Sequence, residues 1–274
     1  LKRIAFYSSQ NDTKNEAKYL KSIKVKYPND PEIQQLLNNL YAEINTDRVG
    51  IYYNLTSINR DGVGPWNLGS INYIRQRHWG SLIGRISYAN RYSYDQKITS
   101  GLQYEVESYI NMNKNSYSYV DVAYSPDMVF PKLRLAYSYY YNFKNGWEAD
   151  LGLRYIKTYN NNFNTFNIGV GKYIGSAWLN FRTYIQKDNP AFLFNTRYYF
   201  KSKYDYVSLF GGYGTSPDDR STMGQYEQRE ELESYRIGAG YSVTFLKNYI
   251  GGFLVSYNKQ EYVPDEIQNE LEIG

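Results

Sequence analysis

The chain has 274 residues, enough for one large β domain and a small accessory piece, and its formal net charge of +4 is spread over dispersed Lys and Arg that leave no nucleic-acid footprint. Zero Cys excludes a disulfide scaffold, thiolate zinc and a Cys nucleophile, and a single His excludes a histidine metal cluster, so no cofactor is expected. Mean hydropathy is −0.66, and no stretch approaches the roughly 18 to 20 apolar residues of a membrane-spanning helix. That does not exclude a transmembrane barrel, whose strands show lipid an apolar residue only at every second position. The 34 Tyr, 12 Phe and 4 Trp, against 3 Met, favour such a barrel, because Tyr is β-prone and both Tyr and Trp suit the membrane–water interface. Leu1 is not an initiator Met, which leads to the expectation that an export signal has been removed.

The first 45 residues read as a separate helical module. Asn11-Asp12-Thr13 offers capping side chains, and Ala17, Leu20, Ile23 and Tyr27 follow at helical spacing. Tyr27-Pro28-Asn29-Asp30-Pro31 breaks that pattern. Asp30 then stands ready to cap a second helix with Pro31 at its first position, and Leu36, Leu37, Leu40 and Ile44 form the apolar face. The pair resembles the end of a tetratricopeptide-type repeat, a unit that cannot bury its apolar face alone. It is therefore expected in the periplasm, docked on the barrel rim or contacting a protein partner through residues 1–45.

From Asp47 onward the period is two. Trp147, Ala149, Leu151, Leu153 and Tyr155 alternate with Glu148, Asp150, Gly152 and Arg154. Tyr235, Ile237, Ala239, Tyr241, Val243 and Phe245 alternate with Arg236, Gly238, Gly240, Ser242 and Thr244. Side chains along a strand point to opposite faces, so each segment has one apolar and one polar face. The segments are also long for a soluble sheet and match a tilted span of the hydrocarbon layer. Strands are expected near 47–57, 64–76, 81–92, 96–110, 116–125, 132–142, 146–158, 163–173, 176–187, 191–202, 205–213, 230–245, 248–259 and 267–274. The fold class is thus all-β, an antiparallel transmembrane β-barrel over 46–274. It has about 14 strands, or 12 if neighbours merge, and is preceded by a short α-helical hairpin.

With the helical piece in the periplasm, the periplasmic connections are short, such as Arg77-His78-Trp79-Gly80, Asn113-Lys114-Asn115 and Ile174-Gly175. The outward ones include Asn59 to Pro65, Ser125 to Pro131 and the long Gly214 to Arg229, as expected of outer-membrane barrels. The acidic stretch from Ser216 to Glu233 is expected to be solvated, to bind cations or to cover the barrel mouth.

Three local patterns make the chain similar to the YaiO family of outer-membrane β-barrel proteins. They are Tyr124-Ser125-Pro126-Asp127-Met128-Val129-Phe130-Pro131, Trp147-Glu148 followed by Gly152-x-Arg154-Tyr155, and Trp66-x-x-Gly69 with the Arg85…Arg91 strand. The resemblance covers residues 45 to 274 and implies a fold and an outer-membrane location, with no catalytic residues to transfer. One departure concerns the end: such barrels finish on an aromatic residue, whereas this sequence stops at Ile273-Gly274, which suggests a sequence cut short.

Chemistry is sparse. His78 falls in a turn, without the acid and nucleophile a triad requires. The polar strand faces carry Glu105, Glu107, Asp121, Glu148 and Asp150 with Arg85, Arg91, Arg134, Arg154, Arg182, Arg197 and Arg236. These residues are expected to line the lumen as ion pairs rather than as an acid–base catalyst; an outer-membrane enzyme using the carboxylates is the competing reading. Tyr119, Tyr140, Trp178, Tyr184 and Tyr199 share those faces and either narrow a passage or stack on sugars. The expected function is non-enzymatic: a narrow channel or export route, or a docking or structural subunit of an envelope assembly. Its expected partners are outer-membrane lipid, a periplasmic protein and a polysaccharide, with no nucleic acid.

Overall fold

A computed structural model describes residues 13–31, 33, 46–187, 190–200, 202–219, 229, 232–246 and 249–274. Helix α1, Thr13–Lys26, forms where the 3.6-residue spacing predicts it, with Leu20 fully buried. At the following Pro-rich turn the Ile33 N–H donates to Asp30 Oδ1 at 3.2 Å, the N3-to-N-cap bond expected with Pro31 at the first helical position. Leu36, Leu37, Leu40 and Ile44, and the repeat-like pairing that depends on them, lie outside the described residues.

Fourteen strands follow: β1 Thr46–Ile58, β2 Val63–Arg77, β3 Gly80–Ser93, β4 Gln96–Asn111, β5 Ser116–Tyr124, β6 Leu133–Asn142, β7 Trp147–Lys157, β8 Asn162–Ile174, β9 Ala177–Ile185, β10 Ala191–Tyr199, β11 Tyr206–Tyr213, β12 Ser234–Phe245, β13 Tyr249–Val263 and β14 Glu266–Ile273. Each pairs antiparallel with its sequence neighbours, and β1 pairs with β14 to close the sheet into a barrel. The seam runs from Leu55↔Ile273 to Ile58↔Glu270, overlapping the β1–β2 pairing at Leu55 and Thr56. No neighbouring segments merge, and the count of fourteen stands over twelve.

Turn chemistry sets the register locally. Tyr94 and Asp95 both have positive φ, 47° and 59°, as a two-residue hairpin turn of the I′ kind requires. Asp265 (φ 68°) lies in the two-residue link Pro264–Asp265, and β13 accordingly runs past the expected end at 259 to Val263. The two longest connections, 125–132 and 214–233, leave the same end of the barrel. β1 begins and β14 finishes at the opposite end, with the even-numbered turns.

Burial alternates as the sequence does, but with the polarity of a membrane protein. In β7 the outward Leu151 and Leu153 are exposed while the inward Glu148, Asp150 and Arg154 are buried. Ile71, Ile86, Val106, Ile168, Phe181, Leu209, Ile237 and Phe253 continue the apolar exterior around the wall. An apolar surface on this scale needs a non-aqueous cover, and a closed barrel meets that need by facing hydrocarbon. Tyr and Phe residues near the strand ends, such as Tyr141 against Phe143 at 4.7 Å and Tyr198 against Phe200 at 5.6 Å, have the rings expected at the lipid interface.

A charge introduced on this face tests the assignment. Leu151→Arg, near the middle of β7, is expected to cost about 2–4 kcal/mol of folding stability in lipid vesicles. Urea titration read by heat-modifiable gel migration measures it. A cost near zero would place Leu151 outside the hydrocarbon.

Candidate functional site

The inner wall is built by period-two alternation along the strands, which sends every second side chain into the barrel. Across adjacent strands these side chains meet in register. Arg85 faces Glu105 across the β3–β4 pair and Glu107 faces Asp121 across β4–β5, which brings the charges within reach of one another.

The first cluster spans β3 to β6. Arg85 donates to Glu105 at 2.7 Å and to Glu107 at 2.5 Å. Arg134 bridges Glu105 at 2.9 Å and Asp121 at 3.0 Å, with all three side chains at most 4% exposed. Tyr119 OH donates to Glu107 at 3.3 Å, and Tyr117 OH donates to Glu148 at 3.0 Å. A second cluster spans β6 to β9. Arg182 donates to Asp150 and to Tyr140 Oη, both at 2.9 Å, and Asn167 holds the other Asp150 oxygen at 3.0 Å. The inward Gly169 leaves room for it, since a Cβ there would strike the Asp150 carboxylate.

What sequence reasoning missed is the contribution of the long β11–β12 connection. Its described residues neither stand out in solvent nor merely cover the mouth: they reach into the barrel. Asp218 accepts from Arg154 Nε at 2.6 Å and Arg154 Nη2 at 3.0 Å, and from Tyr184 OH at 2.8 Å. Asp219 pairs with Arg236, and Arg229 pairs with Glu270. Arg236 also pairs with Glu272, which accepts from Asn54 at 2.6 Å beside the closing seam. The loop is thus fastened both to the β7–β9 wall and to the β12–β14 wall. A second loop enters from the same end: Val129 and Phe130 of the β5–β6 connection are buried against the inward Leu68 and Ala89.

The expected lumen residues therefore divide into three groups. Arg85, Glu105, Asp121 and Arg134 form the first cluster; Glu148, Asp150, Arg154 and Arg182 belong to the second; Arg236 anchors the loop. Arg91 and Arg197 join none of these, and among the described residues neither has an ion-pair partner. Arg91 lies over the Trp66 ring at 4.9 Å. Arg197 lies between Trp178 at 5.3 Å and Tyr206 at 5.0 Å. Of the large inward aromatics, Tyr184 is fully buried and Tyr140 is 8% exposed, stacked on Tyr117 at 4.4 Å.

His78 is exposed in the β2–β3 turn, where its backbone carbonyl accepts from Asn111. Among the described residues no group of three His, Cys, Asp or Glu is placed to hold a metal ion. Among the described residues the buried carboxylates accept from arginine, tyrosine, amide and hydroxyl donors, an arrangement suited to rigidity and charge lining.

The loop anchor has a definite pH behaviour. Burial alone would raise the Asp218 carboxyl, but Arg154, Arg182 and the Tyr184 hydroxyl outweigh it and hold the group well below the usual carboxylate range. A depressed folded-state pKa gives stability that is fully present above the unfolded value, about 3.9, and is lost only as pH falls through the folded value. The loop should accordingly stay seated from pH 7 down to about pH 4. Single-channel traces across that window should show no opening step; a step near the ordinary carboxylate range would contradict the Asp218 contacts.

The family described as the YaiO membrane beta barrel domain matches residues 46–219. No curated protein matches the chain. Among solved structures, a bacterial polysaccharide outer membrane secretin is similar at 9% identity and a TM-score of 0.47, over 84% of this chain and 98% of that one. A mutant Rh. blastica porin is similar at 8% identity and 0.40, over 83% and 99%. The anion-selective porin from Comamonas acidovorans follows at 9% identity and 0.37, over 84% and 98%.

Proposed function

Because the chain belongs to the YaiO membrane β-barrel family, we propose that it forms a narrow, loop-restricted passage across the outer membrane and carries out no reaction of its own. One observation carries this reading: the β11–β12 loop is ion-paired to two walls of the lumen through Asp218, Asp219 and Arg229. Fourteen strands enclose more space than side chains alone fill in an eight-stranded barrel. A loop drawn inside therefore sets the bore, and the arginine and carboxylate lining sets its polarity.

The two long connections face the cell exterior in this reading, and the short turns and both termini face the periplasm. Residues 1–45 then form a periplasmic segment that meets a protein partner, while 46–274 form the barrel in contact with outer-membrane lipid. Arg85, Arg91, Glu105, Asp121, Arg134, Glu148, Asp150, Arg154, Arg182, Arg197 and Arg236 line the passage. Glu105, Asp121 and Asp150 serve as counter-charges for Arg85, Arg134 and Arg182, an arrangement suited to lining rather than to hydrolysis.

Purified protein in planar bilayers should give small, discrete conductance steps. An absence of conductance above background, in wild type and in loop-released variants alike, would reject the channel and leave the docking role.

A further inference from the structure

We propose that the lumen holds a binding site for an acidic monosaccharide unit, with Arg197 as the carboxylate receptor. The inference deepens the passage reading by naming what the wall recognises. A cavity of about 330 Å³ lies inside the barrel beneath the β11–β12 loop, at the small end of ligand-pocket sizes and sufficient for one sugar ring.

Three features of its lining select the ligand. The first is an uncommitted cation. Arg85, Arg134, Arg154, Arg182, Arg229 and Arg236 all pair with carboxylates, whereas Arg197 has no such partner among the described residues and is exposed to the cavity. Asp218 and Asp219, which line the same space, are already engaged by Arg154 and Arg236.

The second is the way Arg197 is held. Its guanidinium lies over the rings of Trp178 and Tyr206 on the two flanking strands. Such contacts use no hydrogen bond and leave the N–H donors of the guanidinium, a fork that matches a carboxylate, for a ligand. Lysine would offer no such fork.

The third is the body of the pocket. Asn195 and Ser208 line it beside Arg197 with hydrogen-bonding groups suited to ring hydroxyls, and Phe210 supplies an apolar surface. Asn195 lies two residues before Arg197 on the same face of β10 and Ser208 stands opposite Arg197 in the β10–β11 register, so a carboxylate on Arg197 places the attached ring beside these groups. An acidic sugar matches the charge, the hydroxyl complement and the size together. A hydrocarbon acid would leave Asn195 and Ser208 unmatched, and a neutral sugar would leave the cation unmatched.

Isothermal titration of the full chain in detergent micelles tests the site without reference to conductance, so the channel and the site can fail separately. Glucuronate and glucose are the probes, on wild type, Arg197→Gln and Arg197→Lys. Saturable glucuronate binding is expected, with glucose and the Gln variant each weaker by about tenfold or more, and with Lys failing to restore wild-type affinity. Unchanged heat-modifiable migration establishes that the variants are folded; should Arg197→Gln not fold, Ser208→Val provides the same loss from across the register. No saturable binding of glucuronate, equal binding of glucose, or full affinity in folded Arg197→Gln would each overturn the proposal.

Discussion

Replacing Asp218 and Asp219 together by Ala should raise single-channel conductance several-fold over wild type, with the barrel intact by gel migration. The loop is drawn in by charge. Asp218 joins it to Arg154, whose side chain is 1% exposed, and Asp219 joins it to Arg236. With both carboxylates gone, the arginines keep their wall contacts: Arg154 still donates to Tyr137 O and Ser138 Oγ, and Arg236 still pairs with Glu272. The wall therefore survives while, among the described residues, the loop loses two of its three ion-pairing side chains and Arg229–Glu270 is left to hold its other end. A positive lumen freed of its acidic loop should also shift toward anion selectivity, read as the reversal potential in a salt gradient. Unaltered conductance and selectivity in the folded double variant would mean that the loop does not set the bore.

The largest stability effect should come from Arg134→Ala. Its guanidinium bridges Glu105 and Asp121, whose side chains are 1% and 3% exposed. Removing it takes a counter-charge from both carboxylates in a nearly dry interior, with Arg85 left to Glu105, a change that costs about 3–5 kcal/mol in comparable buried pairs. Neutralising the group as a whole, with Arg134→Met, Glu105→Gln and Asp121→Asn, should cost far less, because no unpaired charge remains. Urea midpoints in lipid vesicles compare the two. If the single and triple variants lose stability equally, the cluster acts through packing rather than charge pairing.

Much of the barrel was legible in the sequence, for a local reason. Alternation at period two is written into contiguous residues, as in Trp147 to Tyr155, and the turns that divide the strands carry their own chemistry. The same locality exposed the inner-wall charges of β3 to β9, because a residue's face follows from its parity within the strand. Glu270 and Glu272 were legible on the same terms, alternating with the outward Leu271 and Ile273, yet only the structure brings them to Arg229 and Arg236.

The loop was not legible. Asp218 lies 64 residues beyond Arg154, and an acidic stretch reads alike whether it is solvated or seated against arginines. One signal did exist. The polar strand faces expected to line the lumen held seven arginines against the five acids Glu105, Glu107, Asp121, Glu148 and Asp150, an imbalance costly in a confined interior unless acids arrive from elsewhere. The nearest unassigned acids were those of the 214–233 connection. Arg197 was legible as an inward arginine, but its stacking between Trp178 and Tyr206 depends on register across three strands.

The seating of the loop can be measured directly, because the chain contains no native Cys. Thr215, at the start of the loop, is 5% exposed and donates to the Arg229 carbonyl, whereas Asp95, in a turn at the same end of the barrel, is exposed. Single-cysteine variants Thr215→Cys and Asp95→Cys, reconstituted in vesicles, can be labelled with a membrane-impermeant maleimide and timed. A loop held in the lumen predicts rapid labelling at 95, strong protection at 215, and loss of that protection when Asp218→Ala and Asp219→Ala are added. Labelling of 215 as fast as 95 in the otherwise unchanged barrel would contradict the loop-restricted lumen.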